Sequence, residues 1–156
     1  MNRTILYVDD EVDNLAVFEM TFEGQFKVLT AAGAEEALGI LERTLVPVVV
    51  SDQRMPGTTG VQLFSILRSK YPHTQRVLLT GYTEPEAMKD AINLAHVFYY
   101  VNKPWEYSSL EQILLRAIET YELRIALEEQ SRLLLKQNDE LRAIQATLER
   151  VFELHE

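Results

Sequence analysis

Five polar residues of this sequence follow or end short apolar runs, where buried strands would terminate. Asp9 and Asp10 follow the first run, Asp52 follows the third, Thr80 ends the fourth, and Lys103 follows the fifth. Crowded carboxylates repel one another unless a cation neutralises them, and hard ions such as Mg²⁺ prefer oxygen ligands. A carboxylate beside such an ion, with a lysine and a hydroxyl nearby, is equipped to attack phosphorus. These residue types predict a metal-assisted, phosphoryl-accepting site, provided that the fold brings them together.

The apolar runs alternate with segments of helical periodicity, which predicts such a fold. The predicted strands are residues 4–8, 26–30, 46–50, 76–80 and 97–101. Four helices are predicted between the strands, over about 13–23, about 34–45, from Val61 through Leu67 to before Pro72, and over about 84–94. The first has Leu15, Phe18, Met20 and Phe22 at its apolar positions, and the last has Pro85 in its first turn. This order predicts an α/β fold, a (βα)5 doubly wound parallel sheet of five strands. The carboxyl ends of parallel strands share one edge, where the five polar residues are expected to meet.

Composition limits the class of protein. The 156 residues allow one ordinary domain and an appendage, and the apolar fraction of 47% suffices for a core. A net charge of −9 argues against nonspecific nucleic-acid binding by this chain. Because the sequence has no cysteine, no run long enough to span a membrane and no signal peptide, we expect a cytoplasmic protein without a membrane partner.

The C-terminal part has a different pattern, with neither glycine nor proline over residues 108–156. Helix formers dominate, and leucines recur every seven residues, the period of a left-handed coiled coil: Leu127, Leu134, Leu141 and Leu148. Polar residues fill much of the second core position in either register, so we expect a weak homodimer, with a single solvated helix as the alternative. The expected organisation is a domain over 1–122 and a coiled-coil helix over 123–156, which continues the last helix of that domain and leads to an output domain outside this chain.

Several motifs, in this order and at predicted strand ends, resemble the receiver domain of two-component response regulators. They are Val8-Asp9-Asp10, Asp52-x-x-Met55-Pro56-x-x-x-Gly60, Thr80 and Lys103-Pro104. The resemblance covers residues from about Arg3 to Tyr121 and implies a flavodoxin-like sheet of strand order 2-1-3-4-5. Residues 51–57 and 79–82, with Trp105, also resemble receivers tied to hydrogenase-type regulators and cyclic-dinucleotide phosphodiesterases.

The resemblance implies a role for each residue of the acidic site. Asp52 would be the phosphoacceptor, which takes a phosphoryl group from the phosphohistidine of a sensor kinase or phosphotransfer protein. Asp10, Asp52 and the backbone carbonyl of Arg54 would bind Mg²⁺, with Asp9 assisting. Lys103 would pair with the phosphoryl group. The chain would be a regulatory domain rather than an enzyme.

The resemblance also implies a switch. Thr80 would be the switch hydroxyl, and Tyr100 the aromatic residue that changes rotamer, unless it is a plain core aromatic. Arg54 would tune dephosphorylation, unless it is merely a solvent-facing loop residue. Gly81 stands where the family often has alanine, which puts the lifetime of the phosphorylated state in question.

Two other functions remain as alternatives. A receiver-like domain could act as a non-switching dimerisation module, although the complete acidic set argues against this. A phosphohydrolase of the haloacid-dehalogenase type would need an Asp-x-Asp pair after the first strand, and Asp9-Asp10-Glu11 lacks that spacing.

Overall fold

The computed structural model describes residues 1–81 and 87–155 and has five strands and five helices in that part of the chain. The strands are β1 (Thr4–Val8), β2 (Lys27–Ala31), β3 (Val48–Asp52), β4 (Gln75–Thr80) and β5 (Tyr99–Asn102). The helices are α1 (Val12–Phe22), α2 (Ala34–Arg43), α3 (Gly60–Lys70), α4 (Ala87–Leu94) and α5 (Tyr107–Leu154). All neighbouring strands are parallel, in the order β2-β1-β3-β4-β5, which confirms the predicted fold class.

Some element bounds differ from the prediction. β3 begins after Pro47, which has no N–H to donate to a ladder, and it extends to Asp52, whose partner in β4 is Leu79. Asp52 is therefore the last residue of a strand rather than part of the following loop. β5 begins at Tyr99, two residues later than predicted. The predicted start of α4, with Pro85 in its first turn, lies outside the described residues.

Alternate strand residues enter two separate apolar cores, because the sheet is covered on both faces. In β1, Leu6 and Val8 pack with helices α2, α3 and α4, whose buried residues include Ala37, Phe64 and Ile92. On the other face, Ile5 and Tyr7 pack with α1 and α5, whose buried residues include Phe18, Phe22, Leu110 and Leu114. Continuous burial along β1, β3 and β4 fixes these strands in the centre of the sheet.

Helix α1 corrects one predicted core residue. Phe18 and Phe22, one turn apart, are buried, and Leu15 is partly buried, but Met20 is 74% exposed. A residue two positions from Phe18 is rotated by roughly 200° around the helix, so Met20 faces away from the sheet. Including it in the apolar face was wrong.

Two arginines donate to backbone carbonyls at the C-terminal end of α4 and in the two residues that follow it. The Arg68 guanidinium donates to the carbonyl of Leu94 at 2.5 Å. The buried Arg76 donates to the carbonyls of Ala95 at 3.1 Å and His96 at 3.0 Å. The last carbonyls of a helix lack partners within it and carry partial negative charge, so guanidinium donors stabilise them.

The chain divides into two compact units, Met1–Glu122 and Leu123–Glu156. The first contains the sheet. In the second, the four heptad leucines are exposed, with between 52% and 65% of each accessible. Within the described ranges, no helix combines the length and apolar composition needed to cross a bilayer.

Gly60 is a position where only glycine fits. A Cβ atom there would lie 2.6 Å from the Asp52 carbonyl oxygen and 2.7 Å from Cδ1 of Leu78. A larger residue at position 60 must therefore push α3 away from the end of β3, because the Asp52 backbone cannot move aside as a flexible side chain can.

We expect Gly60→Ala to lower the free energy of unfolding by about 1–3 kcal/mol, because it overpacks this contact. Urea denaturation followed by circular dichroism measures the effect. Gly39→Ala is the matched control: Gly39 lies inside α2 with open space around its missing Cβ, so alanine should raise stability by roughly 0.5–1 kcal/mol. Equal stability of Gly60→Ala and wild type would contradict the close packing.

Candidate functional site

The structure brings three carboxylates together at the carboxyl edge of the sheet. Asp9, Asp10 and Asp52 each offer an oxygen, and these oxygens lie within 4.8 Å of one another. Asp9 is fully buried, Asp52 is 7% exposed, and Asp10 is exposed. Such a set of hard oxygen ligands, with one open side, fits the coordination that Mg²⁺ takes in proteins.

The register of β1 and β3 explains this cluster. Val8 aligns with Ser51 in adjacent parallel strands, so the residues that follow each of them emerge side by side. Asp52 continues β3, while Asp9 and Asp10 leave β1 towards α1. The order of strands, in which β1 and β3 are neighbours and their following helices cover opposite faces, opens the site between them.

Three protein donors hold the Asp9 carboxylate. The Tyr7 hydroxyl donates to Oδ2 at 2.7 Å, and the Asn14 side-chain amide donates to the same oxygen at 3.1 Å. The backbone N–H of Glu11 donates to Oδ1 at 3.0 Å. Burial, followed by the hydrogen bond to Asp9, raises the pKa of the Tyr7 phenol far above its usual value. Tyr7 therefore stays protonated and remains a donor.

Sequence reasoning missed Tyr7 and Asn14. A signal for the first was available, because a tyrosine inside a strand predicted to be buried needs a partner for its hydroxyl.

Lys103 forms an ion pair with Asp52 through its ammonium group and Oδ1. The Asp52 pKa is nevertheless raised, because desolvation by burial outweighs the ion pair and hydrogen bond with Lys103, which lower it. The neighbouring charge of Asp9 raises it further. Its surroundings therefore disfavour the ionised form of Asp52, and perturbed pKa values of this kind are typical of functional sites.

Thr80 and Tyr100 lie on the same face of the sheet. Leu78 aligns with Tyr100 and Thr80 aligns with Asn102, so both named residues share the side that α3 and α4 cover. The buried Thr80 hydroxyl lies 3.1 Å from Oδ1 of Asn102, a partner that sequence reasoning missed. Tyr100 is 48% exposed, so the alternative that it is a core aromatic is wrong.

Gln53 and Met55 fix the loop that follows Asp52. Buried Gln53 accepts the N–H of Gly60 on its backbone carbonyl at 3.1 Å and the N–H of Val61 on its side chain at 2.9 Å. Met55 is buried in the core. Arg54 lies between these two anchored residues, two positions after Asp52, and is exposed.

Gly81, the other predicted tuning position, directly follows the last residue of β4 and is partly buried.

Trp105 lies behind Lys103, in an aromatic cluster between α1 and the start of α5. Its ring centroid is 6.3 Å from that of Phe18 and 5.6 Å from that of Phe22, and Phe18 stacks on Tyr7 at 4.1 Å. A small cavity of about 90 Å³ is lined by Tyr7, Asn14, Val17, Lys103 and Trp105. The acidic site is therefore in physical contact with the aromatic packing of α1.

The sequence over residues 5–115 matches the family described as the response regulator receiver domain. The chain belongs to this family. Among curated relatives, the receiver is similar to the hydrogenase transcriptional regulatory protein HoxA of Cupriavidus necator, with 36% identity over 121 residues, which are 78% of this chain and 25% of HoxA. The C4-dicarboxylate transport transcriptional regulatory protein DctD of Rhizobium meliloti is 29% identical over 147 residues, 94% of this chain and 30% of DctD. The chain thus spans only a minor part of the length of these relatives.

Solved structures have the same fold. Adenylate cyclase from Rhodopirellula baltica has a TM-score of 0.80 at 28% identity, which covers 85% of this chain and 98% of that one. A response regulator receiver domain protein from Clostridium thermocellum has a TM-score of 0.71 at 28% identity, with 77% and 97% covered.

We expect Asp52→Asn to raise the free energy of unfolding by about 1 kcal/mol at neutral pH without divalent ions. The folded-state pKa of Asp52 is raised, so its ionisation opposes folding above that pKa, and this penalty disappears as the pH falls through it. The increase in the free energy of unfolding should therefore become smaller at acidic pH. Urea denaturation at several pH values, with EDTA, measures it.

Asp13→Asn is the control for that experiment. Asp13 is an exposed acid in the first turn of α1, where neutralisation should change stability by no more than about 0.5 kcal/mol. An Asp52→Asn variant less stable than wild type at neutral pH would contradict the assigned cost of the buried charge.

Proposed function

We propose that this receiver is a phosphorylation-controlled switch in which Asp52 accepts a phosphoryl group from the phosphohistidine of a sensor histidine kinase or phosphotransfer protein. The observation that carries the proposal is the position of the Asp52 carboxylate, beside two further carboxylates and in an ion pair with Lys103. An acid needed only to cap a turn would gain nothing from such crowding.

The proposed reaction is a displacement at phosphorus. An oxygen of ionised Asp52 attacks the phosphorus atom, the P–N bond to the histidine breaks, and its electron pair returns to the ring nitrogen. With a proton on the second ring nitrogen of the phosphohistidine, the products are an acyl phosphate on Asp52 and a neutral histidine on the donor. Protonation of Asp52 would remove the nucleophile, so uptake should fall as the pH drops through its raised pKa.

Asp10, Asp52 and the Arg54 carbonyl are the groups that we propose for binding Mg²⁺, with Asp9 assisting. The bound ion would offset the charge that accumulates when a phosphoryl group approaches carboxylates. The Lys103 ammonium group pairs with Oδ1 of Asp52. After transfer, its ammonium would pair with a phosphoryl oxygen instead of the carboxylate.

Thr80 and Tyr100 are proposed to transmit the phosphorylated state. The Thr80 hydroxyl would exchange Asn102 for a phosphoryl oxygen, and Tyr100, exposed on the same face, would change rotamer in response. Arg54 and Gly81 would tune the lifetime of that state, the first through its long cationic side chain and the second through the backbone after Thr80.

The output is proposed to pass through the C-terminal helix to a homodimer partner or to an output domain. HoxA and DctD are named as transcriptional regulators, whereas the similar Rhodopirellula baltica structure is named as an adenylate cyclase. Because the outputs named for these similar proteins differ, we propose no specific output activity for this chain. The exposed heptad leucines favour the dimer and would equally serve the second candidate, a non-switching dimerisation module.

We expect wild-type protein to acquire one phosphoryl group from acetyl phosphate with Mg²⁺ and Asp52→Ala to acquire none. Intact-protein mass spectrometry measures uptake. Asp13→Ala, which removes an acid outside the cluster, should be labelled like wild type. Equal labelling of wild type and Asp52→Ala would overturn the proposed phosphoacceptor.

We expect Leu134→Lys to raise the dimer dissociation constant by roughly tenfold or more, because it places a charge on the heptad stripe. Light scattering over a concentration series, with and without beryllofluoride, measures the mass. Leu135→Lys changes an equally exposed leucine outside the stripe and should leave the dimer intact. A wild-type chain that stays monomeric throughout would exclude the dimer, and a dimer insensitive to beryllofluoride would favour the non-switching module.

A further inference from the structure

The three members of the acidic cluster are held in different ways. An ionised carboxylate has about four lone-pair directions, and protein donors use three of those on Asp9: the hydroxyl of Tyr7, the amide of Asn14 and the N–H of Glu11. Asp10 is exposed, and Asp52 faces the ammonium group of Lys103. Of the three carboxylates, Asp9 therefore has the fewest free lone pairs with which to bind a cation.

Two side-chain donors from different elements converge on one oxygen of Asp9, and the Asn14 amide also donates to Oε2 of Glu11 at 3.2 Å. Tyr7 belongs to β1 and Asn14 to α1, and both reach Oδ2 of Asp9. The Tyr7 ring is fixed by stacking on Phe18, so its hydroxyl is held in place by the core rather than by the site.

We propose that Tyr7 and Asn14 are positioning residues that hold Asp9 as a charge-compensated outer member of the metal site. Their hydrogen bonds let the three carboxylates coexist without a cation, and they lower the affinity for Mg²⁺ below what three uncompensated carboxylates would give. This inference rests on the proposed function, which supplies the metal.

The physical reason is competition for the same charge. Hydrogen bonds to an anion are strong because the anion is charged, and they weaken once a divalent cation neutralises it. Deleting a donor therefore destabilises the metal-free protein more than the metal-bound protein. Because Asp9 is fully buried, loss of a donor leaves its charge less compensated, and a bound cation then compensates more of that charge than it does in wild type.

Tyr7→Phe tests the inference, since it keeps the stacked ring and removes only the hydroxyl. We expect the Kd for Mg²⁺ to fall about fivefold, and the melting temperature to fall more in EDTA than in saturating Mg²⁺. Isothermal titration calorimetry of the full chain measures the Kd. Trp105, the only tryptophan, lines the same cavity as Tyr7 and gives an independent fluorescence titration.

Asn14→Ala removes the second donor without touching the buried core and should change Mg²⁺ affinity in the same direction. Tyr71→Phe, the same chemical change at the C-terminal end of α3, should leave the Kd unchanged. Unchanged or weaker Mg²⁺ binding in both site variants, or an equal loss of melting temperature with EDTA and with Mg²⁺, would overturn the inference alone. Failure of wild type to bind Mg²⁺ would overturn the proposed metal site as well.

Discussion

Mutual repulsion among three carboxylates at one edge of a parallel sheet is the constraint on which this structure depends. Their oxygens lie within 4.8 Å of one another, and two of the residues are buried. The chain offsets this charge from several directions: Lys103 from the end of β5, Tyr7 from within β1, and Asn14 from α1. Three elements around the site thus contribute a compensating side chain, and the charge that they leave uncompensated is available to a cation.

The rest of the receiver keeps these groups in register. Parallel pairing of β1 with β3 sets the acids side by side, and the two apolar cores prevent either strand from sliding. The loop after Asp52 is pinned at Gln53, buried at Met55, and closed where Gly60 touches the strand. The loop is therefore anchored at both ends, with exposed Arg54 between the anchors.

Sequence was sufficient for the sheet, because five apolar runs alternating with helices leave few other arrangements, and for the meeting of Asp9, Asp10 and Asp52, because strand ends share an edge. The sequence did not predict features that depend on how one helix or strand packs against another. The contact of Asn14 with Asp9 requires the rotation of α1 about its axis, which periodicity misjudged at Met20. The exposure of Tyr100 follows from β5 being an edge strand, a fact of strand order rather than of local composition.

The arginine contacts at the end of α4 have a mechanical consequence. This helix runs from the carboxyl end of β4 to the amino end of β5, so its C-terminal turn lies at the edge of the sheet opposite Asp52. Arg68 donates to the last carbonyl of that turn, and Arg76 donates to the carbonyls of the two residues that follow it. Any displacement of this end of α4 would therefore have to break these hydrogen bonds, so they resist its movement away from α3 and β4.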